Sequence, residues 1–512
     1  MSKNIKKCTF IWFVCNFAVP LPRKLKLLEE MKKFLLIGAA ALMVSNSTFA
    51  GGILTNTNQN ATFLRNPARN AAIAIDGVYS NPAGIAFLPQ GFHLSVSWQA
   101  AWQKRLMDVN NNLFGMNADG KGTSREFVGE TNAPVIPSFQ AAYVINDKWS
   151  VSAQFAVGGG GGACEFAEGL PMFEELIGSA AAGINAQVNP TSQQFSYNLN
   201  QNLTGEQYFY GFQVGGTYKV AENLSVFGGL RTVVASCNYT GAINNFKVNG
   251  IDAKNFAPAF AQAYQQAADA AKQAAAAGNA EAASQYQAAA TKAGMVAQLT
   301  KEDLTLDCSQ SGIGFTPIIG IDWNLGKLNL AAKYEFRTKI ELENDSKNSS
   351  NVDALMAQYA NGAKNRSDIP ALLTLGAQYE ITDNFRAMAG GVYYWDKDAK
   401  GTPIKEGNNT WEANFGVEWD VNDKILLSCG GQHTQFGFDD ADVSDTNFFT
   451  GCSSLAIGGA YKFSEKMTLN VGYMHSFYDN HKFERTTESG LKTACDYTRK
   501  NDAVGVSLDI RF

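Results

Sequence analysis

The chain has 512 residues, 45% of them hydrophobic and 12% aromatic, with a formal net charge of −5 and a mean hydropathy of −0.17. The negative charge argues against a nucleic-acid binder. After residue 50 no stretch offers about 18 consecutive apolar residues, which excludes membrane-spanning helices there.

Residues 1–30 match nothing in the rest of the chain and read as an extension upstream of the true start, against the alternative of a functional extension. Residues 31–50 read as an export signal. Met31-Lys32-Lys33 is a basic head, Phe34 to Val44 an apolar core, and Ser47-Thr48-Phe49-Ala50 a cleavage site before Gly51. Export leads to an oxidising compartment, where the six later cysteines could pair. Cys237 and Cys308 flank the longest insertion and form the candidate disulfide. Cys164, Cys429, Cys452 and Cys495 have no pairing that sequence decides.

Residues 51–91, rich in Gly, Asn, Ala and Pro, lack strand alternation and suit a compact plug. They contain Asn81-Pro82-Ala83-Gly84 after an alanine-rich stretch with Asp76. From residue 92 onward the pattern has period two. Trp149, Val151, Ala153, Phe155 and Val157 form one face, and Ser150, Ser152, Gln154 and Ala156 the other. Strands are expected to start near 92, 137, 149, 206, 224, 311, 328, 369, 385, 411, 425, 453, 467 and 502.

One phrase recurs between them. Its copies are Tyr143-Val-Ile-Asn-Asp-Lys-Trp149, Tyr218-Lys-Val-Ala-Glu-Asn-Leu224, Tyr379-Glu-Ile-Thr-Asp-Asn-Phe385, Trp419-Asp-Val-Asn-Asp-Lys-Ile425, Tyr461-Lys-Phe-Ser-Glu-Lys-Met467 and the shortened Trp323-Asn-Leu-Gly-Lys-Leu328. Each reads as a tight hairpin turn beside an aromatic anchor. The other connections are long, near 106–135, 158–205, 240–309, 344–368, 397–410, 436–452 and 481–500. Short turns on one side and long loops on the other are the pattern of an outer-membrane barrel. The third long loop carries an Ala/Gln-rich stretch at 255–299, broken at Gly278-Asn279, which reads as a helical hairpin. It would be either a solvated lid or a lid whose apolar face collects ligand.

The last strand sets Val504, Val506, Leu508, Ile510 and Phe512 against Gly505, Ser507, Asp509 and Arg511. An alternating final strand that ends on Phe512 resembles the recognition signal of the outer-membrane assembly machinery. The expected architecture is an all-β membrane protein, a 14-stranded antiparallel transmembrane β-barrel over 92–512, with an N-terminal hatch in the lumen and a helical extracellular loop. It would sit in the outer membrane of a Gram-negative bacterium, as a monomer among outer-membrane lipid.

Together, the Asp76 stretch, Asn81-Pro82-Ala83, the recurring turns and the final strand resemble the FadL/TodX family of outer-membrane transporters. The resemblance covers the whole exported chain and implies transport of long-chain fatty acids or similar hydrophobic compounds. It further implies capture in a plugged barrel and release sideways beside a kink in the third strand. Gly158, Gly159, Gly160, Gly161 and Gly162 follow that strand and are the candidate lateral opening, or else a flexible start to the second loop. Cations at lumen-facing or plug positions could meet a ligand carboxylate: Arg65, Arg69, Arg231, Lys333, Arg337 and Arg386. The alternative is a salt-bridged network with Glu335, Glu412 and Glu418 that fixes plug to wall.

Two other functions compete. A general porin predicts an open lumen without a plug. An outer-membrane lipid hydrolase needs a His beside a Ser or Asp, and by parity His433 and His475 would face outward among the four histidines. Asp439, Asp440, Asp442 and Asp445 lack the glycine and closing glutamate of a calcium loop. No phosphate-binding loop, zinc spacing or cofactor fingerprint is present, so no metal, cofactor or catalytic residue is expected.

Overall fold

In the computed structural model, which describes residues 55–192, 194–486 and 492–512, each of the six repeated phrases closes a hairpin. The expected upstream extension and export signal, the first residues of the expected plug and the tip of the last long loop lie outside the described residues. The clearest turns are two Asn-Asp-Lys copies with the same chemistry. The Asn146 side chain accepts from Lys148 N at 2.9 Å and Trp149 N at 3.0 Å. Asn422 repeats this with Lys424 N and Ile425 N, at 2.9 and 3.0 Å. A short side-chain carbonyl that mimics a backbone acceptor fixes such a turn locally.

These turns join fourteen long strands: β1 (Gly91–Asn110), β2 (Ser124–Val144), β3 (Trp149–Phe166), β4 (Tyr197–Ala221), β5 (Leu224–Val248), β6 (Leu304–Leu325), β7 (Leu328–Glu335), β8 (Leu372–Thr382), β9 (Phe385–Tyr394), β10 (Trp411–Asp420), β11 (Ile425–Gln435), β12 (Cys452–Ser464), β13 (Met467–Tyr478) and β14 (Lys492–Arg511). All pair antiparallel with their neighbours, and β14 pairs with both β13 and β1, which closes the barrel. Short ribbons at Glu341–Ser346, Lys364–Arg366 and His481–Thr486 extend it on the long-loop side.

Alternation decides which side faces lipid. On β10 Trp411, Ala413, Phe415 and Trp419 are exposed while Glu412, Asn414, Gly416 and Glu418 are buried. Similar exposed apolar positions recur on the other strands, among them Phe212, Val214, Ile319, Ile321, Leu455 and Ile457. A soluble protein does not expose a continuous apolar belt of this kind. The turn aromatics Tyr143, Trp149, Trp323, Tyr379, Trp419 and Tyr461 are exposed at its lower edge, as an interfacial girdle requires.

Several strands run further than expected. β2 starts at Ser124 rather than 137, β4 at Tyr197 rather than 206, β6 at Leu304 rather than 311 and β14 at Lys492 rather than 502. About 9–11 residues cross a bilayer, whereas β4 and β5 have 25 each. Their upper halves therefore stand above the membrane, where the outer face is polar, as Ser124, Glu126 and Glu130 show on β2. The apolar half of the alternation stops at the lipid boundary, so those segments resemble loops in the sequence.

The third long loop forms helices α2 (Ala257–Ala276) and α3 (Ala280–Lys301). Gly278, at φ +72°, makes the break. The second loop holds an unexpected helix, α1 (Pro171–Val188), with Pro171 in its first turn.

Cys237 and Cys308 are buried free thiols on β5 and β6. The register pairs Cys237 with Gln310 and Tyr239 with Cys308. The cysteines are thus diagonal neighbours, about 7–8 Å apart in such a ladder, beyond ordinary disulfide reach. The expectation of a disulfide there is corrected.

If the exposed belt meets lipid, Ile457→Lys in mid-β12 should destabilise the folded barrel in vesicles by about 2–4 kcal/mol. Denaturant titration in vesicles checks this, and an unchanged midpoint would contradict the membrane placement.

Candidate functional site

Residues 55–90 thread the lumen, and the wall holds them at three places. The first is the Asn-Pro-Ala-Gly motif. Asn81 receives Gly84 N at 3.2 Å and opens a short 3-10 turn with Pro82 in its first position. Its side-chain amide donates to Asp322 on β6. Thr217 on β4 donates to Pro82 O at 2.9 Å, and Ser225 on β5 donates to Ala83 O at 2.7 Å. A Cβ on Gly84 would lie 2.4 Å from the Asn81 side chain, so the turn requires glycine. The motif is a wall anchor.

The second place is ionic. Glu418 on β10 accepts from Arg65 at 2.6 Å, Arg69 at 2.9 Å and Arg386 at 2.7 Å. Arg69 also grips Asp76 through two bonds of 2.8 and 2.9 Å. Three strands along the same wall, on β7, Glu335 pairs with Arg231 at 2.5 Å and Lys333 at 2.7 Å. Lys333 donates in turn to Tyr79 O at 2.7 Å and sits 3.8 Å over the Tyr79 ring. Arg65, Arg69, Arg231, Lys333 and Arg386 thus pair with the protein's own carboxylates. Arg337 is not in the lumen. It lies half-buried beyond β7 beside Asp368 and the Asp398 carbonyl.

Close approach completes the seat. Cβ atoms on Gly376 and Gly472 would come within 2.7 Å of plug backbone at Asn70, Ala71 and Leu64. Lumen-facing glycines let plug main chain lie directly on the wall. A cavity beside Arg69, Tyr79, Lys333 and Glu412 measures about 20 Å³, room for one water.

The third place is the glycine run. β3 does not end at Gly158 but continues to Phe166 with bulges that skip Gly158 and Gly161. Val157, expected on the lipid face, is buried because the strand turns there. Gly160 has φ +69°, and a Cβ on it would meet Gln207 O at 2.1 Å. Pairing with β4 persists throughout. Pairing with β2 does not: it runs from Val144↔Ser150 to Ser138↔Ala156, then resumes only at Thr131↔Cys164. The facing β2 segment is Asn132-Ala133-Pro134-Val135-Ile136-Pro137. Prolines lack the ladder donor, so two prolines opposite five glycines leave a seam. From inside, Asn56 N donates to Gly158 O at 2.9 Å and its side chain to Gly160 O at 2.8 Å. Behind the seam lie Phe63, Leu64, Ala101, Ile136, Val157 and Met474, a buried apolar cluster.

Above the plug the lumen is apolar. Helix α1 packs Ile177, Ala181 and Ile184 against Phe166, Tyr197, Leu203 and Phe246. Its Glu174 accepts from Arg125 at 2.7 Å, Asn117 at 2.9 Å and Tyr197 at 3.1 Å. Burial still pushes that carboxyl above its ordinary value despite these partners. Sequence reading missed this helix, although Pro171, Glu174 in the first turn and the following apolar spacing mark one.

The histidines do not assemble a catalytic triad. His433 meets Ser453 at 3.0 Å, while His475 meets Asp502 at 2.7 Å on a different strand pair, beside Tyr473. Among the described residues neither pair has a third member that would make a charge-oriented nucleophile. Asp442 caps the backbone of Lys405, Glu406 and Gly407, and Asp445 pairs with Arg485 at 2.7 Å.

No family model matches the sequence, and no curated protein matches it. Solved structures do. A FadL homologue of Pseudomonas aeruginosa aligns with TM-score 0.57 at 13% identity, over 90% of this chain and 100% of that one. The toluene transporter TodX of Pseudomonas putida aligns at 0.50 and 12%, over 90% and 100%. A deltaS2 mutant of the TodX monoaromatic hydrocarbon channel aligns at 0.51 and 13%, over 91% and 98%. These likenesses show that the chain has the fold of such barrels.

Glu418→Gln should leave the buried guanidinium groups of Arg65 and Arg69 and the half-buried one of Arg386 around a neutral acceptor, costing about 3–5 kcal/mol. Amide exchange should accelerate across residues 61–76 while the strands stay protected. Equal protection in variant and wild type would contradict the ionic anchor.

Proposed function

We propose that the chain belongs with the FadL/TodX transporters and carries hydrophobic small molecules across the outer membrane of a Gram-negative bacterium. The solute enters the apolar upper lumen and leaves sideways into the bilayer at the β2–β3 seam. The observation that carries this reading is the interrupted ladder, with an apolar cluster inside it and lipid outside. A greasy solute gains nothing from a watery pore, and a polar plug anchored on the wall blocks the axial path. The seam offers an exit whose inner and outer ends are both apolar. The same plug disfavours a general porin. The separated Ser453–His433 and His475–Asp502 pairs disfavour a lipid hydrolase. Long-chain fatty acids and small aromatics are the substrates this reading favours.

The seam can be locked. A Cβ on Gly162 would lie 3.1 Å from the Ala133 Cβ, close to the span of a disulfide. Ala133→Cys with Gly162→Cys should therefore join β2 to β3 on oxidation. Uptake of a radiolabelled long-chain fatty acid and of toluene should fall in the oxidised form and recover on reduction. Unchanged uptake by the fully oxidised protein would contradict lateral release.

A further inference from the structure

One bond crosses from β1 to the outer edge of the seam. The Trp98 indole N–H donates to Pro134 O at 3.0 Å. Trp98 is not a girdle aromatic. At the foot of β1 Phe92 pairs with the turn residue Tyr143, and Trp98 stands higher, in the exposed apolar belt. In register it faces Pro137, so its indole reaches along β2 to a bulge. There β1 advances from Gln99 to Ala101 while β2 runs back from Ile136 to Ala133. Pro134 and Val135 are exposed in succession where the alternation slips. Among the described residues neither has a ladder partner on β1 or on β3.

We infer that Trp98 is the positioning residue that holds the β2–β3 seam open for release of the solute. A backbone carbonyl in lipid has no water to accept from and must find a donor within the protein. Pro134 O can draw on either of two. One is an amide of β3: continued from Ser138↔Ala156 or from Thr131↔Cys164, the register would set Pro134 against Gly160 or Gly161. The other is the Trp98 indole. They pull in opposite directions, since the first draws β2 onto β3 and the second ties it to β1. The indole bond satisfies the carbonyl while the ladder stays broken. Without it, pairing with β3 is the remaining way to satisfy Pro134 O, and the seam closes. The prolines act in the same sense, because they bring no N–H to a closed ladder. This inference rests on the transport reading and adds the side chain that sets how often the exit is open.

The test uses Trp98→Phe and, separately, benzothienylalanine in place of Trp98, which keeps the bicyclic shape without the N–H. Trp102→Phe, on the same outer face, is the control. Both replacements of Trp98 should lower the maximal uptake rate of a radiolabelled long-chain fatty acid roughly three- to tenfold, the worth of one hydrogen bond. The half-saturating concentration should not change, because capture precedes release. Amide exchange across residues 158–163 should slow as β2 pairs with β3, and the barrel should unfold on heated gels at no lower temperature than wild type. Exchange at the wild-type rate overturns the inference alone and leaves the transport reading standing, which the β2–β3 disulfide tests separately. Slowed exchange with unchanged uptake overturns lateral release and the inference together. An effect of Trp98→Phe that benzothienylalanine does not reproduce, or that Trp102→Phe equals, assigns Trp98 to packing in the lipid belt and overturns the inference. A less stable barrel with unchanged exchange and maximal rate does the same.

Discussion

Glu418 has three guanidinium groups around one carboxylate, from Arg65 and Arg69 of the plug and Arg386 of the neighbouring strand. Much else follows from that cluster. A buried carboxylate of this kind is stable only with its partners in place, so plug and wall fold as one unit. The arginines draw residues 61–76 against β9–β13. There the wall answers with glycine where side chains would collide, as at Gly472 beneath Leu64 and Arg65. With Asn81 tied to Asp322 across the lumen, the plug spans the barrel from side to side.

Such anchoring makes the interior unequal. Towards β4–β11 the plug is held by ion pairs and short hydrogen bonds. Towards β1–β3 it offers asparagine amides, as Asn58 does to Gln99 and Asn60 to Ser95 and Gln140, and then the apolar cluster around Phe63. The β2–β3 seam opens beside that cluster. Prolines on one strand and glycines on the other interrupt the ladder beside that apolar cluster. Axial closure and lateral weakness are thus two results of one distribution of polar and apolar contacts.

The sequence made the local features legible. A turn such as Asn146-Asp147-Lys148 encodes its own hydrogen bonds, so all six hairpins could be placed. The break at Gly278 was legible for the same reason. Features that depend on tertiary context were not. Strand tops such as 492–500 lack an apolar outer face because they stand above lipid, and this assigned Arg499 to a loop. Cys237 and Cys308 looked close because they flank an insertion, but register decides distance, and register is non-local. The glycine run was visible, whereas its partner, the Pro134–Pro137 pair, gained meaning only once β2 was known to face it. Helix α1 carried its own signals and was overlooked between two strands.

The central claim is a route: down through the apolar upper lumen, then out between β2 and β3. Mass-spectrometric mapping of where a photoreactive hydrophobic solute attaches during uptake tests it most directly. The account predicts adducts on the seam and its inner lining, at Phe63, Ile136 and Val157, with the lower plug at Ile85–Leu88 unmarked. Adducts concentrated on Asn81–Leu88 and the wall beneath them would show axial passage and contradict it.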